Sequence, residues 1–78
     1  MSRPPKELNA PEWREISKKL KFEIENSGKK KADIARELGV DHTNISAYAN
    51  GRAFPSLITL KKLCRVLDCT YEDILGEL

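Results

Sequence analysis

The sequence lacks the features that membrane proteins and exported proteins need. No apolar run approaches the roughly 20 residues of a membrane-spanning helix, so no membrane partner is expected. The opening residues, Met-Ser-Arg-Pro-Pro-Lys-Glu, lack the apolar stretch of a secretory signal. We therefore expect a cytoplasmic protein.

Residues with which enzymes and metal sites are built are also scarce. His42 is the single histidine, no serine or cysteine has an evident nearby base, and there is no glycine-rich phosphate loop. An enzyme is not expected, nor is a cofactor. Cys64 and Cys69 could form a disulfide, bind a metal or be two buried thiols. A metal needs about four ligands, and the cysteines lie in a core-like apolar segment, so we expect buried, reduced thiols and no metal.

The remaining composition is that of one small, charged, globular domain. The chain has 78 residues, of which 40% are hydrophobic and 33% are charged, enough for a single compact core. No segment alternates with period two, whereas apolar residues recur three and four positions apart. The sequence predicts an all-α fold of five short helices over 11–78, preceded by a flexible arm at 1–10.

The first two helices have clear boundaries. The first is predicted over about 11–27, with Pro11 at its first position and Gly28 as its end. Its apolar stripe is Trp13, Ile16, Leu20 and Ile24. The second is predicted over about 31–38 and ends at Gly39, where glycine permits a tight turn.

The other three helices are predicted from capping residues. Asp41 is a natural N-cap for a third helix that closes at Asn50 and Gly51. Thr70 and Asp73 resemble a capping box for a last turn through 75. A fourth helix begins after Pro55 and Ser56, and its predicted buried stripe is Leu57, Leu60, Leu63, Cys64 and Leu67.

A helix, a glycine turn and a second helix thus follow one another within about 20 residues. Their key residues are Ile34-Ala35, Leu38-Gly39-Val40, Ile45, Tyr48 and Asn50-Gly51. This pattern resembles the Cro and phage-repressor (Xre-like) family of helix-turn-helix proteins, from about Leu20 to Leu75. The resemblance implies sequence-specific binding of double-stranded DNA by a repressor-like transcriptional regulator whose third helix enters the major groove.

The outward face of the third helix follows from its inward one. With about 100° per residue and with Ile45, Tyr48 and Ala49 inward, the residues outside are Thr43 and Ala47, flanked by Asn44 and Ser46, with His42 at the tip. None of these is a long charged side chain, and small or hydrogen-bonding groups suit close approach to base edges. The alternative is a merely polar surface. The resemblance implies base contacts by His42, Thr43 and Ala47, with Asn44 and Ser46 as neighbours.

Three consecutive lysines, Lys29, Lys30 and Lys31, precede the second helix, where the helix dipole is already positive. Such a site binds phosphate when DNA neutralises it, and we predict this role for Lys30 and Lys31. The alternative is that the lysines bind nothing and are a run of charges exposed to solvent. The resemblance also implies that Asn50 and Arg52 clamp the sugar-phosphate backbone, by backbone amide or side chain.

A single recognition helix reads few base pairs, which predicts a homodimer, at least on DNA, and an inverted-repeat operator. We expect the dimer contact at the end of the chain, which holds the apolar residues Tyr71, Ile74, Leu75 and Leu78. The alternative is that Ile74 and Leu75 close the core of one protomer. A rival function is a protein-interaction module, such as an antitoxin or adaptor, that uses the same scaffold.

Overall fold

The computed structural model describes residues 10–76 and contains five helices in that range. They are α1 (Pro11–Asn26), α2 (Lys31–Leu38), α3 (His42–Ala49), α4 (Leu57–Leu67) and α5 (Tyr71–Leu75). The predicted all-α fold is confirmed, and α1 ends one residue earlier than expected. All but the last residue of the predicted arm, and Leu78, lie outside the described residues. None of the five helices is both long and apolar enough to cross a membrane.

The amino ends of α3, α4 and α5 are capped by side chains. Asp41, Ser56 and Thr70 each accept a hydrogen bond from a backbone N–H in the first turn that follows. Asp73 returns the bond to the N–H of Thr70, so the predicted capping box is present. At α1 the capping position is Ala10, which makes no side-chain cap bond, and Pro11 opens the helix as predicted.

The carboxyl ends of α2, α3 and α4 share one backbone motif, the Schellman turn. One residue just beyond each helix has a left-handed conformation: Gly39 and Asp68 directly after α2 and α4, and Gly51 two positions after the end of α3. The next residue donates its N–H to a carbonyl five positions back: Val40 to Ala35, Arg52 to Ala47 and Cys69 to Cys64, at 3.0, 2.8 and 3.0 Å. These turns fix where the chain leaves each helix.

All five helices contribute to one hydrophobic core. Its most deeply buried large side chains are Leu20, Ile24, Ile34, Ile45, Leu63 and Ile74. The prediction that Leu57 is buried is wrong, because this side chain is 83% exposed and the buried stripe of α4 starts at Leu60. Helical side chains lean towards the amino end, so the first residue of α4 projects past the helix rather than onto the core.

Both cysteines are free thiols at the end of α4. Cys64 is buried as expected, whereas Cys69 is only half-buried. Across residues 10–76 no three His, Cys, Asp or Glu side chains are grouped so that they could hold a metal ion.

Candidate nucleic-acid interface

The turn between α2 and α3 is tight because Gly39 adopts a left-handed conformation, with φ of 74°. Ala35, in the middle of α2, is buried and allows the two helices to approach closely. Ile45 of α3 is fully buried, and Val40 packs against the same core from the turn. These residues set the position of α3 relative to α2, which is the geometry expected of a helix-turn-helix.

The structure confirms which face of α3 is buried. Ile45, Tyr48 and Ala49 belong to the core. Of the predicted outward residues, His42, Thr43 and Asn44 are exposed, whereas Ser46 and Ala47 are half-buried. Ala47 is therefore less open than expected, and the backbone N–H of Arg52 is bonded to its carbonyl. The most accessible part of the outward face is the first turn of α3.

The tip of α3 is held by one carboxylate. Oδ1 of Asp41 accepts a hydrogen bond from the backbone N–H of Thr43 at 3.3 Å and lies 3.4 Å from Nδ1 of His42. The cap stabilises the first turn of the helix. It also restrains the imidazole, although the His42 side chain remains 64% exposed.

The three lysines before α2 have different surroundings. Nζ of Lys29 lies 3.2 Å from a carboxylate oxygen of Glu37, so this lysine is ion-paired. Lys30 is the N-cap of α2, makes no side-chain cap bond, and is followed by Lys31 as the first helical residue. Both side chains are exposed, and the ion pairs formed among residues 10–76 do not include them. The two lysines predicted to bind phosphate, Lys30 and Lys31, are thus the exposed ones that form no ion pair in the described part of the chain.

Asn50 and Arg52 lie together on the turn that follows α3, and both are exposed. Their backbone amides are already used, because Asn50 donates to the carbonyl of Ser46 at 2.9 Å and Arg52 to that of Ala47 at 2.8 Å. Of the two predicted ways to clamp a phosphate, by backbone amide or by side chain, the first would require these internal bonds to be shared or broken. The side chains of these two residues remain for that role.

Sequence reasoning missed the contact that fixes this turn. Nε1 of Trp13, on α1, donates a hydrogen bond to the carbonyl of Gly51 at 2.9 Å. The Phe54 ring packs edge-on against the Trp13 indole, with centroids 4.5 Å apart and planes at 70°. A buried indole N–H needs a partner, but the sequence does not show which carbonyl supplies it. Trp13 thus anchors the loop that carries Asn50 and Arg52.

With this geometry established, the comparison with known families is direct. Residues 14–74 match the family model described as helix-turn-helix, of the Cro and C1 (Xre-like) type, and the chain belongs to this family. No curated protein and no solved structure matches the chain. Because the family consists of DNA-binding regulatory domains, the protein is a DNA-binding helix-turn-helix protein.

Proposed function

We propose that the protein is a sequence-specific, repressor-like transcriptional regulator in the cytoplasm, which reads the major groove of double-stranded DNA with α3. The observation that carries the proposal is the accessible first turn of α3, whose side chains are short and hydrogen-bonding. A recognition helix enters the groove with its amino-terminal residues against the base edges, and this turn has the open, uncrowded surface that such docking needs.

Base reading centres on the exposed residues of that turn. The Asn44 amide can form a bidentate pair with adenine, and the Thr43 methyl group suits contact with the methyl group of thymine. His42 at the tip, and the half-buried Ser46 and Ala47, complete the surface. Since α3 has no arginine to grip guanine, the preferred operator leans towards A·T pairs.

Phosphate contacts lie on both sides of α3. On one side Lys30 and Lys31 add positive charge to the amino end of α2, where free backbone N–H groups already favour an anion. On the other side, the side chains of Asn50 and Arg52 extend from the turn anchored by Trp13. Contacts of this kind position the protein on the duplex without reading its sequence.

We propose a homodimer on DNA, through an apolar surface at the α5 end of the domain. Tyr71 and Leu75 are 46% and 47% exposed. Ile74 is fully buried in the core of its own protomer, which was the alternative to a role in the dimer contact. We include in the proposed contact Leu57 and Ile58 at the start of α4, which are 83% and 70% exposed. Half-sites would then be inverted repeats with centres about 10 bp, or roughly 34 Å, apart.

A groove of about 440 Å³ lies beside Leu75, and its lining includes Phe54, Pro55 and Ile74. Acidic Asp68, Glu72 and Asp73 lie at the same end, and α5 itself has no basic residue. The exposed apolar side chains at this end therefore suit a protein contact.

Selection of bound duplexes from a random DNA pool tests the proposal. A recovered inverted repeat, bound with an affinity that falls steeply as salt is added, is the expected result, because lysine–phosphate contacts release counterions. No enriched sequence, together with a partner protein bound in a nearly salt-independent manner, would favour the interaction-module function.

A further inference from the structure

The end of α4 brings two cysteine side chains together. Cys64 and Cys69 occupy the positions of the Schellman turn whose side chains normally touch, and the N–H of Cys69 is bonded to the carbonyl of Cys64 at 3.0 Å. A second backbone bond, from Asp68 to Arg65 at 3.3 Å, closes the same turn. At the equivalent positions of α2 the touching pair is Ala35 and Val40. Only at α4 does this motif juxtapose two thiols within residues 10–76.

The two cysteines share one surface pocket, through which they can be reached from solvent. Cys64 and Cys69 both line this pocket of about 430 Å³, together with Lys61, Arg65, Asp68 and Tyr71. An ion that enters this pocket meets both sulfurs at once, on a backbone that is already fixed.

We propose that Cys64 and Cys69 form a two-coordinate binding site for a soft, thiophilic metal ion of the Cu(I) class. Soft thiolate ligands select such ions, whereas zinc prefers four ligands and magnesium or calcium prefer oxygen. No third ligating side chain is grouped with the pair in the described part of the chain, which suits an ion that is satisfied by two sulfur ligands. This site is independent of the residues proposed to contact DNA.

The charges around the pocket fit that chemistry. Lys61, Arg65 and Asp68 line the pocket, so its lining carries two positive charges and one negative charge. The excess positive charge offsets the net charge of −1 on one Cu(I) ion and two thiolates. Burial raises the pKa of both thiols, to about 12 for Cys69, so the incoming ion displaces two protons. The same protonation slows oxidation to a disulfide, since the thiolate is the reactive form.

Anaerobic titration of the reduced full chain with Cu(I), in competition with a chromophoric Cu(I) chelator, tests the site. The expected result is one ion per chain and X-ray absorption that shows two sulfur neighbours. Cys69→Ser should weaken binding by more than about 100-fold, since it removes a ligand and even outer-shell changes cost 10- to 100-fold. Tyr71→Phe, which alters the pocket but no ligand, should still bind one ion per chain.

Three results would overturn the proposal: one ion per two chains, nitrogen or oxygen neighbours, or unchanged affinity in Cys69→Ser. Circular dichroism shows whether that variant folds. If it does not, alkylation of the wild-type thiols decides, because bound Cu(I) should protect both cysteines. Equal alkylation with and without Cu(I) would contradict the site.

Discussion

The indole N–H of Trp13 is bonded to the carbonyl of Gly51 at 2.9 Å, across 38 positions of sequence. This bond joins α1 to the second residue after α3. Gly51 lies between Asn50 and Arg52, so the contact holds the turn from which both proposed phosphate-binding side chains extend. The orientation of the DNA-facing surface thus depends on a residue that is itself distant from α3 in sequence.

Trp13→Phe removes this bond and leaves a part-buried carbonyl without its partner. The free energy of unfolding should fall by about 1–3 kcal/mol, the cost of an unsatisfied buried polar group. Denaturant unfolding measures it. Phe54→Leu is the control, since it removes the ring pair and retains the hydrogen bond. An unchanged stability in Trp13→Phe would show that the bond contributes nothing.

Gly39 and Gly51 allow backbone strain to be separated from steric contact. Both have φ of 74°, but a Cβ at Gly39 would meet nothing within 4 Å, whereas one at Gly51 would lie 3.2 Å from Oγ of Ser17. Gly39→Ala should therefore cost about 1–2 kcal/mol for the left-handed conformation alone. Gly51→Ala should cost more, and thermal unfolding of the two variants measures the difference. Equal destabilisation of the two variants would mean that Ser17 on α1 can move away from the added Cβ at no measurable cost in stability.

Lys30→Gln with Lys31→Gln tests the phosphate contacts. Affinity for specific and non-specific DNA should fall alike, and the slope of log affinity against log salt should decrease by about one for each phosphate that is no longer neutralised. Thermal stability should hold or rise, because two positive charges leave the positive end of a helix. Lys19→Gln is the matched control, since Nζ of Lys19 lies beside Gly76 at the other end of the domain. A fixed salt slope with lower stability would make the two lysines structural.

Leu57→Ser with Ile58→Ser tests the proposed dimer. Both side chains are largely exposed, so stability should change little, while binding of two chains per duplex should be abolished. Light scattering on an operator duplex measures the stoichiometry. Phe22→Ser is the control, because Phe22 is 60% exposed on α1, outside the proposed contact. One chain per duplex in the wild type, with protein in excess, would rule out the dimer.

How far the sequence predicts this structure depends on the range of each interaction. Local patterns sufficed for the five helices, for the Thr70 capping box and for the inward face of α3, because periodicity and capping act within a few residues. Leu57 was wrongly predicted to be buried because periodicity gives the angle of a side chain around the helix axis but not the point along the helix where the core ends. The Trp13 to Gly51 bond was missed because nothing local to either residue specifies its partner.

The same limit applies to the candidate interface. The positions of Thr43 and Asn44 on an exposed face followed from helical geometry. The ion pair of Lys29 with Glu37 did not, because it depends on where α2 places Glu37 relative to the chain before the helix. The half-burial of Ala47 did not follow from helical geometry either.

Replacement of the two exposed side chains on the first turn of α3 is the most direct test of base reading by this helix. Thr43→Ala and Asn44→Ala each remove a proposed base contact and nothing from the core, so each should cost about 1–3 kcal/mol of binding free energy on the selected operator. Glu15→Ala, on the exposed face of α1, is the control for a surface change outside both the proposed DNA contacts and the proposed dimer contact. Fluorescence anisotropy on selected and scrambled duplexes measures the effect. We expect weaker binding and lower discrimination with an unchanged melting temperature, and unchanged affinity in both variants would contradict the role of α3 as the recognition helix.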